Sequence, residues 1–470
     1  MAEEDVKVVE VCTVEPLSSS AAATPISLPL TFFDIRWLRF PPLECLFFYK
    51  YPHSPSSFFH HLLPKLKHSF SLTLQHYLPL AGNLTWPHNS PRPTINYVPG
   101  DSVSFTVAQS QSSFSHLSSS NLREASKFNL LTPRLLVSEE KASVLALQVT
   151  LFPNSGFSLG LTIHHAVMDG KSAISVLKLW AYFCSNSNTD QEAANSSLAV
   201  PQQLLPFYDR TVIKDPIGIY ERFVNEVLNY GGVQNNRSLI LWNWDHKVPS
   251  EAVRGTFELT REHIEILKKY TQPKLKNNGY VSTFSVTYTY VGCCLVKAEQ
   301  TKSEKVNFVF AVDCRGRSDP PIPSTYFGNC LVGQSAITET KPILENEKLG
   351  IVNAVEAVSE AMKRLEMGLV RGADSWGSRK KMGTIGNNER GLSISGSPRF
   401  EVYSVDFGWG RPVKVDIVSI DKTRAFSICE SRDGGGGVEI GLVLNRCDME
   451  AFSNVFAKDL ESFPSSQSQC

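Results

Sequence analysis

Apolar residues change their period several times along the chain, and each change marks an element. Residues 143–152 and 157–163 are short runs dense in Leu, Val, Ile and Phe, separated by Pro153-Asn154-Ser155-Gly156. Runs of that length around turn chemistry predict a β-hairpin. The period then becomes helical: Ala173, Val176, Leu177, Trp180 and Cys184 share one face, which predicts a helix over 171–184 with Gly170 as the break before it. Residues 185–206 are polar and end between Pro201 and Pro206, as a linker would. Beyond them the pattern predicts helices near 215–230, 261–270 and 283–299, a strand at 305–312 and a long helix at 343–366. Strands follow at 399–406, 413–419, 424–430 and 437–444, with a last helix near 448–459. Gly434 to Gly437 is a tight turn between the last two strands; no Lys-Ser/Thr follows, so it is not a phosphate loop. Interleaved strands and helices define an α/β (α+β) chain, and 470 residues exceed what one core usually holds, so two domains are expected.

Composition narrows the functions. Hydrophobic residues make up 42% and charged residues 20%, as in ordinary globular proteins. Lys+Arg and Asp+Glu both number 46, so no global field draws nucleic acid or an anionic membrane. The start, Met1-Ala2-Glu3-Glu4-Asp5, lacks the basic and apolar parts of a signal peptide, and no apolar run reaches the ~18 residues of a membrane span. Ten cysteines without a Cys-x-x-Cys pair are expected to be reduced thiols in a cytosolic protein.

Two motifs carry the chemistry. His164-His165-Ala166-Val167-Met168-Asp169-Gly170 falls where the second hairpin strand ends. A lone His-x-x-x-Asp spacing is common by chance; His164 before it and Gly170 after it sharpen the signal. His165 is either a structural histidine at a strand end or a base for activating a hydroxyl, since an imidazole is mostly neutral at neutral pH. Asp169 either orients that ring or turns away to a distant arginine. The second motif, Asp406-Phe407-Gly408-Trp409-Gly410, predicts a tight turn. Gly408 and Gly410 are free to take positive φ, Asp406 can accept from nearby amides, and Trp409 brings a flat indole with one donor. The Asp-Phe-Gly of a kinase is excluded because its glycine-rich loop and its His-Arg-Asp are missing. Tyr326-Phe327-Gly328-Asn329-Cys330 follows Arg315, whose charge serves as solvated surface, as the anchor of Asp169, or as an anion contact. No Gly-x-Ser-x-Gly elbow, catalytic cysteine context or helical His pair supports a covalent nucleophile or a metal site.

In both motifs and their order, the chain resembles the plant BAHD acyltransferases. The likeness runs almost end to end: Leu28-Pro29-Leu30-Thr31-Phe32-Phe33-Asp34 is similar to the family's opening strand, and Tyr77-Leu78-Pro79-Leu80-Ala81-Gly82-Asn83 to its early helix–loop junction. Tyr326 to Cys330 is similar to the signature of the anthocyanin and flavonoid glucoside branch, rich in malonyltransferases. The resemblance implies a two-domain fold like that of chloramphenicol acetyltransferase, with a channel between the domains. It divides the chain into 1–184, a crossover linker at 185–210, and 211–470, with a segment near 370–400 exchanged into the first domain. It makes His165 the general base and Asp169 a structural residue paired with Arg315. Asp406, Gly408, Gly410 and Asn329 become supporting residues, and Trp409 lies near the channel. Ser282, Thr283, Phe284, Ser397 and Arg399 fall where the family lines its CoA channel. Leu131-Thr132-Pro133-Arg134 departs from the family, which more often carries an acidic residue after the proline.

The activity implied is transfer of malonyl from malonyl-CoA to a sugar hydroxyl of a phenolic or flavonoid glucoside, with no bound cofactor, in a monomer. A dicarboxylate donor calls for an arginine, and Arg399 and Arg134 are the candidates. The alternatives are a hydroxycinnamoyl-CoA transferase acting on a glycoside or amine, and a non-catalytic ligand-binding relative. A peptide-synthetase condensation domain shares His-His-x-x-x-Asp-Gly but fails on the second motif.

Overall fold

A computed structural model describes residues 5–17, 24–186, 199–242, 251–276, 280–365 and 388–463. The hairpin forms as Leu145–Phe152 and Gly156–Ile163, antiparallel, with Asn154 at φ 57° in its turn. Every residue of both strands is buried, because they lie at the centre of a six-stranded sheet and are covered on both faces. The order is Val6–Val14, Val103–Ser110, Leu145–Phe152, Gly156–Ile163, Leu43–Lys50, Lys414–Ile417. A seven-stranded sheet runs Leu331–Glu339, Lys305–Asp313, Glu389–Ser395, Phe426–Glu430, Val438–Asn445, Ala252–Leu259, Arg123–Glu124. A four-stranded sheet of Ile26–Pro29, Thr94–Tyr97, Asn83–Thr85 and Lys141–Ser143 completes the β structure of the described residues.

Each large sheet borrows its last strand from the other half of the chain. Lys414–Ile417 pairs with Leu43–Lys50, and Arg123–Glu124 pairs with Ala252–Leu259. Buried charges join the two loans. Arg123 donates to both oxygens of Asp416, at 2.8 and 3.1 Å, while Arg254 bonds Asp421 and the Ile417 carbonyl. With both guanidiniums fully buried, losing one partner would strand a charge in the core, so the four side chains act as one lock.

The helix after the hairpin, Gly170–Asn186, starts at Gly170 itself; the break is the loop from His164 to Asp169. It is buried almost all round, and Trp180 donates to the Leu66 carbonyl and to Ser69 Oγ of the helix Leu63–His76. Helices Ile219–Leu228, Arg261–Thr271, Thr283–Ala298 and Arg446–Ser462, and strands Lys305–Asp313, Phe426–Glu430 and Val438–Asn445, lie close to their expected places. The glycine turn forms with positive φ at Gly434, Gly435 and Gly436.

Three expectations are corrected. The opening strand stops at Pro29, and Phe32–Ile35 is a helical turn, because Asp34 Oδ2 accepts from the Thr31 N–H and hydroxyl in a capping box. The helix at 343–366 is two, Thr340–Glu345 and Glu347–Arg364, broken where Asn346 leaves helical angles and caps the second through Leu349 N–H. The strand at 399–406 is instead two 3₁₀ turns, Pro398–Phe400 and Val402–Ser404. They are set by the proline and by Glu401 at φ 55°, while the Glu430 carboxylate takes the Tyr403 N–H. Most of the polar stretch, 187–198, lies outside the described residues, as does 370–387 of the segment expected to be exchanged. Among the described residues no helix is long and apolar enough to cross a membrane.

Candidate active site

The loop between strand Gly156–Ile163 and helix Gly170–Asn186 carries His164, His165 and Asp169, all buried. Its ends are held by backbone bonds, His164 N–H to the Val144 carbonyl at 3.0 Å and Ala173 N–H to the Asp169 carbonyl at 3.0 Å. His165 is 8% exposed. It stacks on Trp37 with centroids 4.0 Å apart and planes 4° from parallel, and meets the edge of Phe40 at 5.5 Å. Its Nδ1 is buried without a partner, which leaves Nε2 as the nitrogen able to meet a substrate. Burial pushes His165 down to about 4, opposed by smaller pulls from its own backbone and from Asp169. Burial and then His165 push His164 further, to about 3. Both rings are therefore neutral at neutral pH.

Asp169 does not bond the ring. Its two oxygens accept from Arg315 Nη1 at 2.9 Å and Nη2 at 3.1 Å, from Ser172 N–H at 3.0 Å and from Cys330 N–H at 3.1 Å. Burial alone would lower the Arg315 guanidinium, but Asp169 and then Asp313 hold it above its ordinary value. Arg315 also donates to the Tyr326 and Gly328 carbonyls at 3.2 and 3.1 Å, so this ion pair ties the histidine loop to the Tyr326–Cys330 turn. Gly328 sits at φ 140°, and a β-carbon there would lie 2.2 Å from Arg210 Nη1; only glycine fits.

Asn329 is a junction. Its side-chain amide donates to the His165 carbonyl at 2.9 Å and to Asp34 Oδ1 at 3.1 Å, and its N–H donates to the same oxygen at 2.9 Å. Asp34, Trp37 and Phe40 went unnoticed as site residues in the sequence. The one signal was Thr31-x-x-Asp34, a capping-box spacing that marks a helical turn rather than a strand.

The second motif is a closed turn elsewhere. Asp406 Oδ1 accepts from Gly408 N–H at 2.8 Å and Gly410 N–H at 3.0 Å, with both glycines at φ 99°. Phe407 is fully buried, edge-on to Trp180 at 5.0 Å and Tyr49 at 5.6 Å. Trp409 is half-buried beside Tyr51 and Phe157, with Lys65 Nζ 5.5 Å from its ring centroid. A β-carbon at Gly408 would meet Ser185 at 3.3 Å, whereas one at Gly170 would meet the Phe400 ring at 2.7 Å. The turn thus packs at the far end of helix Gly170–Asn186 from Asp169, roughly 22 Å away at 1.5 Å per residue. Trp409 shares no ring contact with His165.

The remaining candidates spread around this centre. Ser282 caps helix Thr283–Ala298 by accepting from Ser285 N–H at 3.0 Å, and Phe284 packs on Tyr288 and Phe310. Thr283 is the first residue of that helix. Ser397 accepts from Arg399 N–H at 3.2 Å in the turn whose Phe400 touches Gly170. Arg399 is exposed, as is Arg134, whose neighbour Pro133 accepts from Thr162 Oγ1 at 2.5 Å just before the histidine loop.

A neutral, desolvated imidazole with one free nitrogen, held on a loop pinned by a buried ion pair, can take a proton from a bound hydroxyl or amine. Vinorine synthase superposes with a TM-score of 0.63 at 19% identity, over 95% of this chain and 96% of that one, so the two share a fold. A family model described as the Transferase family matches residues 5–459. The chain is 38% identical to phenolic glucoside malonyltransferase 1 of Arabidopsis thaliana, over 98% of this chain and 99% of that protein. It is 40% identical to malonyl-CoA:anthocyanidin 5-O-glucoside-6''-O-malonyltransferase of Arabidopsis thaliana, over 97% and 98%. The chain belongs to this Transferase family, the BAHD acyltransferases, whose co-substrate is an acyl-CoA.

Proposed function

We propose that the protein transfers malonyl from malonyl-CoA to a sugar hydroxyl of a phenolic or flavonoid glucoside, with His165 as general base. The observation that carries the reading is the His165 ring itself: buried, neutral, with Nδ1 enclosed and Nε2 left to face the acceptor. The two malonyltransferase relatives support the donor and acceptor classes. Nε2 takes the hydroxyl proton as the oxygen attacks the thioester carbonyl. The tetrahedral oxyanion collapses, the C–S bond breaks, and the imidazolium returns its proton to the departing thiolate as free CoA. No protein nucleophile takes part, so no acyl-enzyme forms.

Asp169 and Arg315 hold the base's loop, Asn329 holds its carbonyl, and Asp406, Gly408 and Gly410 form a supporting turn. Ser282, Thr283, Phe284, Ser397 and Arg399 are proposed along the CoA path, and Arg134 or Arg399 for the donor carboxylate, where a guanidinium gives bidentate contacts. Trp409, set far from His165, is proposed as a support of the channel wall. We assign residues 1–184 and 211–470 to two domains with the channel between them, joined by 185–210, in a cytosolic monomer.

The test is product mass spectrometry with malonyl-CoA and a panel of phenolic and flavonoid glucosides, beside acetyl- and coumaroyl-CoA. A malonylated sugar is expected; preference for coumaroyl-CoA would overturn the donor assignment. His165→Ala should lower kcat by about 10²–10⁴-fold in a folded protein. Retained turnover would remove the mechanism.

A further inference from the structure

A triad holds its histidine with a carboxylate hydrogen-bonded to Nδ1. Here the nearest carboxylate of the motif, Asp169, accepts four hydrogen bonds from other groups and none from the ring. Nδ1 is buried and meets no other residue's acceptor or donor. Beyond a pull from the residue's own backbone, the aim of Nε2 falls to the groups packed against the ring.

The parallel indole of Trp37, 4.0 Å away, sets the plane of the imidazole, and the perpendicular Phe40 closes its edge at 5.5 Å. Both aromatics belong to one turn, since Phe40 N–H donates to the Trp37 carbonyl at 3.1 Å. That turn and the base share an anchor. Trp37 N–H donates to the Asp34 carbonyl at 2.9 Å, and Asp34 Oδ1 accepts from Asn329, which also bonds the His165 carbonyl. The indole keeps its place although its own Nε1–H is buried without an acceptor. An unpaired buried donor is destabilising, so the position favours the flat face over the hydrogen bond. A π face also stabilises the imidazolium that forms as the proton moves.

We infer that Trp37 is the positioning residue of His165, doing by stacking what a triad carboxylate does by hydrogen bonding. This rests on the reading of His165 as the base. The experiment compares Trp37→Phe, Trp37→Leu and His165→Ala, measuring kcat, KM for malonyl-CoA, CoA binding by calorimetry and thermal unfolding. Trp37→Phe keeps a stacking face and should stay within about threefold of the parent kcat. Trp37→Leu removes the face and should lower kcat by about 10²-fold, the cost of a loosely aimed group. Its KM for malonyl-CoA and its CoA affinity should stay within about threefold. Trp37→Leu with parent kcat would overturn the inference, and so would Trp37→Phe falling as far as Trp37→Leu, because the N–H would then be the working part. Should Trp37→Leu fail to fold, Phe40→Leu decides: kcat about five- to tenfold lower at unchanged CoA affinity supports the aromatic clamp, and parent kcat overturns it. Full turnover of His165→Ala would instead sink the base assignment on which the inference stands.

Discussion

The two motif aspartates are held in opposite ways at opposite ends of one helix. Asp406 accepts from amides two and four residues along, Gly408 and Gly410, and needs nothing from elsewhere in the chain. Asp169 is paired with Arg315, 146 residues away, and with the Cys330 amide, 161 residues away. The first closes a turn. The second fastens the loop bearing His165 to a turn from the other half of the chain. A motif aspartate can thus be a local staple or a long-range bolt, and spacing does not tell them apart.

Breaking the bolt should cost most. Asp169→Ala leaves the buried Arg315 cation with only Asp313 as carboxylate partner, and losing one partner of such a pair costs about 3–5 kcal/mol. Urea unfolding should show that loss, with kcat falling in step because the loop of His165 is no longer pinned. Stability within about 1 kcal/mol of the parent would mean that the pair is dispensable.

The staple should cost less and spare the chemistry. Asp406→Ala removes two hydrogen bonds to the amides of exposed glycines, worth about 1–3 kcal/mol together. Its kcat in the folded protein should stay within about threefold, given the roughly 22 Å of helix in between. A kcat loss matching that of Asp169→Ala would erase the distinction between the two ends.

The smallest effect is in pH. With burial holding His165 near 4, kcat/KM should fall less than about twofold from pH 7 to 5.5. An imidazole at its ordinary ~6.5 would lose about tenfold over that range. An acid limb near 6.5 in the free enzyme would show that burial does not govern the base. The same shift has a stability counterpart. Because His165 and His164 lie below their ordinary value when folded, the unfolded chain binds more protons between about 6.5 and 3. Their contribution is complete above about 6.5 and is lost as the pH falls through 4 towards 3.

The elements most legible in the sequence were those whose causes are local. The hairpin at 143–163, the helix from Gly170 and the glycine turn at 434–437 follow from periodicity and turn residues within a dozen positions. The helix at 343–366 and the strand at 399–406 failed on single residues. Asn346 spends its side chain on a cap, and Glu401 takes a left-handed angle while the nearby Tyr403 amide turns to Glu430. Nothing in a periodic pattern encodes either choice.

By itself the sequence determined the class of the protein, because two motifs, their order and a near end-to-end likeness are properties of the string. It also determined which segments would pair or coil locally. Tertiary structure decided which residues stand around His165. Trp37 and Phe40 reach it from a turn near the start of the chain, Asn329 from a loop in the second half whose Arg315 pins Asp169, and the sheets exchange strands across that same divide. Those meetings come from the burial of apolar faces and of charges that must be paired inside, and such choices are made among residues far apart in sequence.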